Sequence, residues 1–282
     1  MFISKNIIIT SVAGKPIALD IFYSDAVTAK PVVVYGHGFN GFKDWGNADI
    51  IAEQFAEAGY VFIKFNFSYN GTTPEHPQDF LDLEAFGNNN YTKQLLDVNS
   101  VINWVCDRHN MQHKAIDKNC IYLIGHSMGG GIATLYAAKD ARIKKLILWA
   151  GISECKTPWT NWSKEQLLEW KKTGVAFYLN SRTKQNIPLY YQLHQDFVDN
   201  STALNIETAI RSLAIPILIC HGSLDTAVPI EKAHDLLKWQ PAAILFTVES
   251  DHVFGRSHPW LNPELPVAMQ VVLNETMRFI GA

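Results

Sequence analysis

Cysteine is scarce in this chain and follows no ligand pattern. The four cysteines stand far apart, without a Cys-x-x-Cys pair, at Cys106, Cys120, Cys155 and Cys220. Such spacing supports neither a disulfide framework nor a zinc site, and no histidine pair with i, i+4 spacing lies on a predicted helix, as a zinc ligand set would need. Cys120 and Cys220 lie in apolar runs, where a thiol behaves as a small hydrophobic group. We therefore expect four reduced, structural thiols and no metal, as is usual in the cytoplasm.

Long apolar runs and an excess of basic residues are also missing. No apolar run approaches the ~18 residues that a transmembrane helix needs, and the first residues lack the basic start and cleavage site of a signal peptide. The net charge is −3 and the pI is near 6.4, so no basic field attracts nucleic acid or an anionic membrane. We expect a cytoplasmic protein with a small-molecule partner, although export by another route stays open. Nothing in the sequence indicates the oligomeric state.

What the chain does contain is a regular alternation of strand and helix patterns. With 282 residues, 48% of them hydrophobic, it can form one large α/β domain with a substantial core. Two strands flank a turn near residues 13–16, and six further apolar runs read as buried strands. These runs are residues 31–35, 60–67, 121–124, 145–151, 216–220 and 242–248. Helical patterns between them predict βαβ units and therefore a mostly parallel, twisted sheet flanked by helices.

Two segments interrupt this alternation. Residues 71–90 are polar and broken by proline and glycine, which predicts a long loop that serves as a binding element or lid. Residues 152–210 are rich in aromatic side chains and show helical stretches without strand alternation. We interpret 152–210 as a helical cap inserted into a core formed by 1–151 and 211–282. Its aromatic residues either form the core of the cap or line a substrate pocket, and the first reading is favoured for most of them.

A sharp turn that carries a serine joins one strand to one helix. The buried run 121–124 ends at Gly125-His126-Ser127-Met128-Gly129, and a helical pattern of small residues follows at once. A strand, a tight turn with serine and a helix together predict a nucleophile elbow. The alternative is a glycine-rich turn without a chemical role, because the pentapeptide alone is a weak signal.

An acid and a histidine follow later strands in the order that acyl-transfer chemistry needs. Asp225 follows the strand at 216–220, and His252 follows the last strand, so both are placed at carboxyl ends, where ligand sites form. We predict Ser127 as nucleophile, His252 as general base and Asp225 as the residue that orients the imidazole. The backbone N–H groups of Met128 and Phe39 are the predicted oxyanion hole.

Other residues compete for two of these roles. His258 is the main alternative to His252 as the base, although it lies further from the last strand. Asp251 adjoins His252, but neighbouring residues at a strand end point in different directions, so Asp225 is preferred as the acid.

Four motifs together resemble the α/β-hydrolase superfamily over nearly the whole chain outside the cap. They are Gly125-His-Ser-Met-Gly129, His37-Gly38-Phe39, His221-Gly-Ser-Leu-Asp225 and Asp251-His252-Val-Phe-Gly255. The short His-Gly-Phe loop is most similar to dienelactone-hydrolase-like and cinnamoyl-esterase-like enzymes. Dienelactone hydrolases proper use cysteine as nucleophile, whereas position 127 is serine, so the resemblance does not imply that chemistry.

The motifs and the resemblance together imply a serine hydrolase, a carboxylesterase of the EC 3.1.1 class that forms an acyl-enzyme and needs no cofactor. A peptidase or amidase that acts on short acylated substrates is the alternative within this class. A non-catalytic binding protein on a hydrolase scaffold is the alternative from a different class. The sequence does not indicate the substrate-binding residues, the acyl chain length or the physiological substrate.

Overall fold

One eight-stranded sheet runs through the molecule in the order β1-β2-β4-β3-β5-β6-β9-β10. The computed structural model describes residues 1–25, 27–46, 48–110, 112 and 114–281. The strands of this sheet are β1 (Phe2–Thr10), β2 (Pro16–Tyr23), β3 (Lys30–Gly36), β4 (Val61–Phe65), β5 (Ile116–His126), β6 (Ile143–Trp149), β9 (Ile217–Gly222) and β10 (Ile244–Val248). A separate pair is formed by β7 (Val175–Leu179) and β8 (Asn186–Tyr190).

The sheet is mostly parallel, as the sequence pattern predicts. Only β1–β2 and β2–β4 pair antiparallel in it, and every other neighbouring pair runs parallel. The central strands are apolar on both faces because helices cover both sides. The helices are α1 (Ala48–Glu57), α2 (Leu83–Gly87), α3 (Tyr91–Cys106), α4 (Met128–Ala137), α5 (Lys164–Thr173), α6 (Gln192–Asp199), α7 (Ile206–Ser212), α8 (Glu231–Trp239) and α9 (Val267–Gly281).

The helices form two layers with separate cores. On one face, Phe55 of α1 and Met269 of α9 pack against the sheet in one buried cluster. On the other face, Val101 of α3, Ile132 of α4 and Leu236 of α8 share a second cluster with the strands. This arrangement confirms the predicted α/β-hydrolase architecture. Among the described residues, no helix is both long enough and apolar enough to cross a membrane.

The cap segment contains strands as well as helices, which the sequence pattern did not predict. Between α5 and α6, β7 and β8 form an antiparallel hairpin that pairs Val175 with Tyr190 and Leu179 with Asn186. The expectation of a purely helical segment is therefore wrong. The physical reason for this error is visible in β7, where Leu179 is exposed and the inward-facing residues are only partly buried. No clear hydrophobic alternation therefore marks this strand.

Aromatic side chains form the interior of the cap, as favoured from the sequence. Trp159 and Trp170 are 4% and 1% exposed, and their rings lie 5.7 Å apart. The Trp170 indole N–H donates to the Leu189 carbonyl at 2.7 Å, which ties α5 to the hairpin. The cap also rests on the core, since Ile206 of α7 packs directly against Gly131 of α4.

The segment 71–90 is a long loop that includes one short helix. Asp82 caps α2 by accepting a hydrogen bond from the Ala85 N–H at 2.9 Å. Gln192, at the start of α6, donates to the carbonyls of Gly87 and Asn89 at 3.1 and 2.8 Å. The loop is thus attached to the cap, and the two together cover the carboxyl ends of the strands.

A buried ion cluster lies where the loop after β3 meets β2 and β4. The Lys43 ammonium contacts Asp20 at 2.7 Å and Asp44 at 2.8 Å. The Lys64 ammonium contacts Asp20 at 3.0 Å, Asp49 at 2.7 Å and Asp44. The three carboxylates come close enough to share a cation, but Lys43, Lys64 and Lys5, which pairs with Asp49, already supply three ammonium groups that balance their charge. The cluster therefore links the loop that carries Phe39 to two strands.

Candidate active site

Ser127 occupies a strained turn between β5 and α4. Its φ is 56° and its ψ is −121°, a conformation that L residues rarely adopt. The turn is tight because a Cβ on Gly125 would lie 2.2 Å from the Gly129 carbonyl oxygen. Hydrogen bonds hold it from both sides: Ser127 N–H donates to Trp149 O at 2.9 Å, and Ser127 O accepts from Ile152 N–H at 3.2 Å. Local packing thus fixes the serine where the strand ends.

The structure brings His252 and Asp225 together. His252 Nδ1 donates to Asp225 Oδ2 at 2.7 Å, and the aspartate side chain is fully buried while that of the histidine is 20% exposed. This bond leaves His252 Nε2 as the ring nitrogen free to act as acceptor. The two residues are 27 positions apart but follow adjacent parallel strands, β9 and β10, which is why they meet.

Asp225 is held as a carboxylate. Burial raises its pKa, but hydrogen bonds from His221 and His252 and from the Val228 backbone outweigh that effect and hold the pKa below its usual range. Its second oxygen accepts from the N–H groups of Ala227 and Val228 at 2.9 and 2.8 Å. The carboxylate is therefore charged at neutral pH and fixed in position beside the imidazole.

Ser127 and His252 line the same cleft, yet their side chains form no hydrogen bond within the part of the chain that the structure describes. His126 also lines this cleft, and its Nε2–H donates to the His252 carbonyl at 3.0 Å. Catalytic hydrogen bonds are often long in ligand-free sites and shorten when substrate binds. The geometry thus supports the predicted pairing of Ser127 with His252 without displaying that contact.

The predicted oxyanion donors lie beside the serine. The loop after β3 passes so close that a Cβ on Gly38 would be 2.9 Å from the Ser127 Cβ. The backbone N–H groups of Phe39 and Met128 donate to no acceptor among the residues described. His37 fixes the loop, since its Nδ1–H donates to Gly38 O at 2.8 Å and its Nε2 accepts from Phe67 N–H at 3.3 Å. Burial lowers the pKa of His37 to about 4, so this ring is neutral.

The alternatives named from the sequence are placed otherwise. His258 also lines the cleft, but its Nδ1 accepts from Gly46 N–H at 3.3 Å, and its ring packs 4.8 Å from that of Phe42. Asp251 is exposed and accepts hydrogen bonds from Val253 and Gly255 N–H in its own turn. Within the described part of the chain, neither side chain forms a hydrogen bond with Ser127, Asp225 or His252.

The cleft, of about 360 Å³, is lined by two arginines, Arg182 and Arg256. It is lined by Tyr35, His37, Gly38, Phe39, Asn40, Gly41, Trp45, His126, Ser127, Asn180, Ser181, Arg182, His252, Val253, Arg256, Ser257 and His258. None of these residues is acidic. Arg256 is 3% exposed, and both of its terminal nitrogens lack a hydrogen-bond partner among the described residues.

Sequence reasoning did not find Arg256. An isolated arginine four residues after His252 belongs to no pattern, and only its burial in the cleft distinguishes it. Its guanidinium lies 5.5 Å from the Trp45 ring centre, and its Nε–H donates to Val253 O at 3.0 Å. The turn after β10 therefore supplies a positive charge as well as the predicted base.

The sequence matches a known protein family. The model of the alpha/beta hydrolase fold family matches residues 31–173, just over half of the chain. The chain belongs to this family. The resemblance seen in the sequence motifs is thereby confirmed at the level of the superfamily.

Individual relatives are distant. A polyketide transferase of Stachybotrys chlorohalonatus is 24% identical over 220 residues, which cover 77% of this chain and 67% of the relative. A protein of Mycoplasma pneumoniae, provisionally named esterase/lipase 2, is 25% identical over 234 residues, covering 76% and 79%.

Solved structures share the fold. The α/β hydrolase GrgF from Penicillium sp. sh18 has a TM-score of 0.73 at 16% identity and covers 99% of this chain and 98% of its own. Est1E from Butyrivibrio proteoclasticus has a TM-score of 0.68 at 17% identity over 98% of both chains. At such identities the likeness concerns the fold alone.

Proposed function

We propose that this protein is a serine hydrolase that cleaves carboxylic esters through an acyl-enzyme intermediate. The observation that carries the proposal is the arrangement at the strand ends. Ser127 sits on a strained elbow, in one cleft with an imidazole that donates to a buried carboxylate. A serine hydroxyl needs such a base to become a nucleophile at neutral pH.

The chemistry follows from these positions. His252 Nε2 removes the Ser127 hydroxyl proton while Oγ attacks the ester carbonyl carbon, and the buried Asp225 carboxylate stabilises the imidazolium. The N–H groups of Phe39 and Met128 donate to the carbonyl oxygen as it becomes negative. His252 then gives its proton to the leaving alcohol oxygen as the C–O bond breaks. Water, activated by the same imidazole, releases the acid from Ser127.

The leaving alcohol lies in the cleft, because His252 must reach its oxygen. Arg256 and Arg182 line this cleft, and no acidic residue is among its lining residues. A buried guanidinium whose terminal N–H groups lack acceptors, as in Arg256, is energetically unfavourable and binds carboxylate or phosphate strongly. Esters whose alcohol part bears an anionic or strongly polar group therefore fit the cleft best.

The relatives favour ester over amide substrates. One curated relative carries esterase/lipase in its name, and a structural neighbour, Est1E, has been solved with ferulic acid bound. A triad of this kind also serves amide hydrolysis, so the preference must be measured directly.

Labelling with a fluorophosphonate probe tests the nucleophile. We expect the wild type to be labelled and Ser127→Ala to remain unlabelled. Ser181→Ala is the matched control, because Ser181 lines the same cleft, and it should label like the wild type. Equal labelling of Ser127→Ala would show that another residue is the nucleophile, and an unlabelled wild type would favour a binding protein.

Substrate panels then test the reaction class. Phenyl esters and the matching anilides, each with acetyl, butyryl and hydroxycinnamoyl groups, should separate the two activities. Higher kcat/KM on the anilides would overturn the ester assignment in favour of an amidase.

A further inference from the structure

A second, smaller pocket lies on the other side of the oxyanion loop. It is formed between the loop 71–90, α3, the start of α4 and the cap. Its lining residues are Phe39, Phe86, Gly87, Asn89, Asn90, Tyr91, Gln94, Met128, Leu189 and Leu193. Phe39 is shared with the active-site cleft, and Phe39 and Met128 are the residues whose backbone N–H groups form the proposed oxyanion hole. We call it the acyl-side pocket.

Two polar atoms in this apolar pocket lack partners. Gln94 is only 2% exposed, and its Oε1 accepts no hydrogen bond from the described residues. Asn89 Oδ1 is buried and equally without a donor. Two other polar groups of the lining are occupied: Asn90 Oδ1 accepts from Lys93 N–H at 2.9 Å, and the Tyr91 hydroxyl donates to Thr157 O at 3.2 Å. A buried acceptor without a donor is unfavourable. A ligand group that donates a hydrogen bond to Gln94 Oε1 or Asn89 Oδ1 would therefore be stabilised in this pocket.

The stereochemistry of ester cleavage identifies what enters. The leaving oxygen must lie toward His252, in the cleft, to receive its proton. The carbonyl oxygen must point to the N–H groups of Phe39 and Met128. The remaining substituent on the carbonyl carbon is the acyl chain, and it points away from His252, toward the side on which Phe39 and Met128 border the acyl-side pocket.

We propose that the acyl-side pocket recognises a short acyl chain that carries a hydroxyl group, with Gln94 as the residue that selects it. This inference rests on the serine hydrolase function proposed above. The hydroxyl would donate to Gln94 Oε1 or Asn89 Oδ1. An ammonium group fits less well, because no carboxylate among the lining residues offsets the cost of burying its charge.

The size of the pocket limits the chain. Its volume is about 10 Å³, close to the space that one water-sized group needs. A terminal hydroxyl or methyl group fills it, whereas longer chains require Leu189 or Leu193 of the cap to move. The fit therefore selects acyl groups of about two or three carbons, and the unpaired acceptors distinguish a hydroxyl from a methyl group.

Paired methyl esters test this selectivity because each pair differs only in hydroxyl against methyl. Glycolate is compared with propionate, and 3-hydroxypropionate with butyrate, by pH-stat, with each kcat/KM divided by the alkaline hydrolysis rate of the same ester. We expect the wild type to favour the hydroxyl member of at least one pair by about tenfold, and Gln94→Met to bring that ratio near one. Gln240→Met is the matched control, since this amide donates to Ile210 O and Leu213 O, away from the pocket, and its ratio should stay at the wild-type value.

A second variant keeps the proposal testable if Gln94→Met does not fold. Leu189→Ala enlarges the pocket but leaves the Trp170 hydrogen bond intact, because that bond uses the main-chain carbonyl. It should raise kcat/KM for hexanoate relative to propionate by about tenfold. Suppose that Ser127 is labelled but the wild type shows no preference for the hydroxyl esters, or that Gln94→Met leaves the ratio unchanged. Either result would show that the pocket holds only a water molecule. It would overturn this proposal and leave the proposed hydrolase function intact. Absence of labelling would overturn the proposed function, and this proposal with it.

Discussion

Replacement of Lys64 by methionine removes the central charge of the buried ion cluster. The Lys64 side chain is fully buried, and its ammonium contacts Asp20, Asp44 and Asp49. Burial lowers its pKa, but the three carboxylates outweigh burial and raise the pKa above its ordinary value. In the variant, Lys43 would be the one buried ammonium left for Asp20 and Asp44 among the described residues.

The magnitude follows from the burial of the partners. Asp20 is fully buried and Asp44 is 12% exposed, so water cannot replace the lost cation. Breaking a buried pair from one side costs about 3–5 kcal/mol, a large share of the roughly 5–15 kcal/mol that stabilises a typical domain. Because one carboxyl of the cluster can take up a proton instead of staying charged, the loss should be smaller near pH 5 than at pH 7.5.

Urea denaturation at both pH values measures this loss. Lys172→Met is the matched control, because that lysine is 80% exposed and 3.9 Å from Glu169, and it should change the free energy of unfolding by less than about 0.5 kcal/mol. The double variant Asp20→Asn with Lys64→Met should recover part of the loss. A Lys64→Met loss of less than about 1 kcal/mol at pH 7.5, or an equal loss at both pH values, would refute the view that this cluster carries uncompensated charge when broken.

Three further predictions concern the site and its support. Asp225→Asn should lower kcat about 10⁴-fold, since the amide cannot hold the reactive tautomer of His252. Steady-state kinetics on the unlabelled, folded variant checks this, and a loss below tenfold would contradict the assigned role. Gly38→Ala should lower kcat on esters by at least tenfold, because the new Cβ would lie 2.9 Å from the Ser127 Cβ. A variant with the kcat of the wild type would refute this prediction. Burial raises the pKa of Asp97 to about 6 despite its serine hydrogen bonds, so the folded state binds the proton more tightly than the unfolded state. Stability should therefore fall by about 3 kcal/mol as the pH rises from about 3 to about 7, relative to Asp97→Asn in urea denaturation, and equal pH profiles would contradict this.

The order of strands and helices was predictable because it depends on local patterns. Buried runs such as residues 121–124 and 216–220 are apolar throughout, and helical spacing between them indicates crossovers, so the parallel sheet follows from the chain itself. The elbow was predictable for the same reason, since glycines must flank a turn in which a Cβ would overlap the next segment. The hairpin β7–β8 was missed because its side chains lack alternation.

The sequence by itself determined the fold family, the order of the strands along the chain and a short set of site candidates, because each is written in periodicity or in a local motif. Only the tertiary structure decided that His252, and not His258, donates to Asp225 from the cleft. It also decided that the terminal nitrogens of Arg256 and Oε1 of Gln94 are buried near the site without a hydrogen-bond partner among the described residues. The physical reason is that pairing and desolvation depend on which distant segments meet. Side chains that carry no pattern acquire their chemistry only from those neighbours.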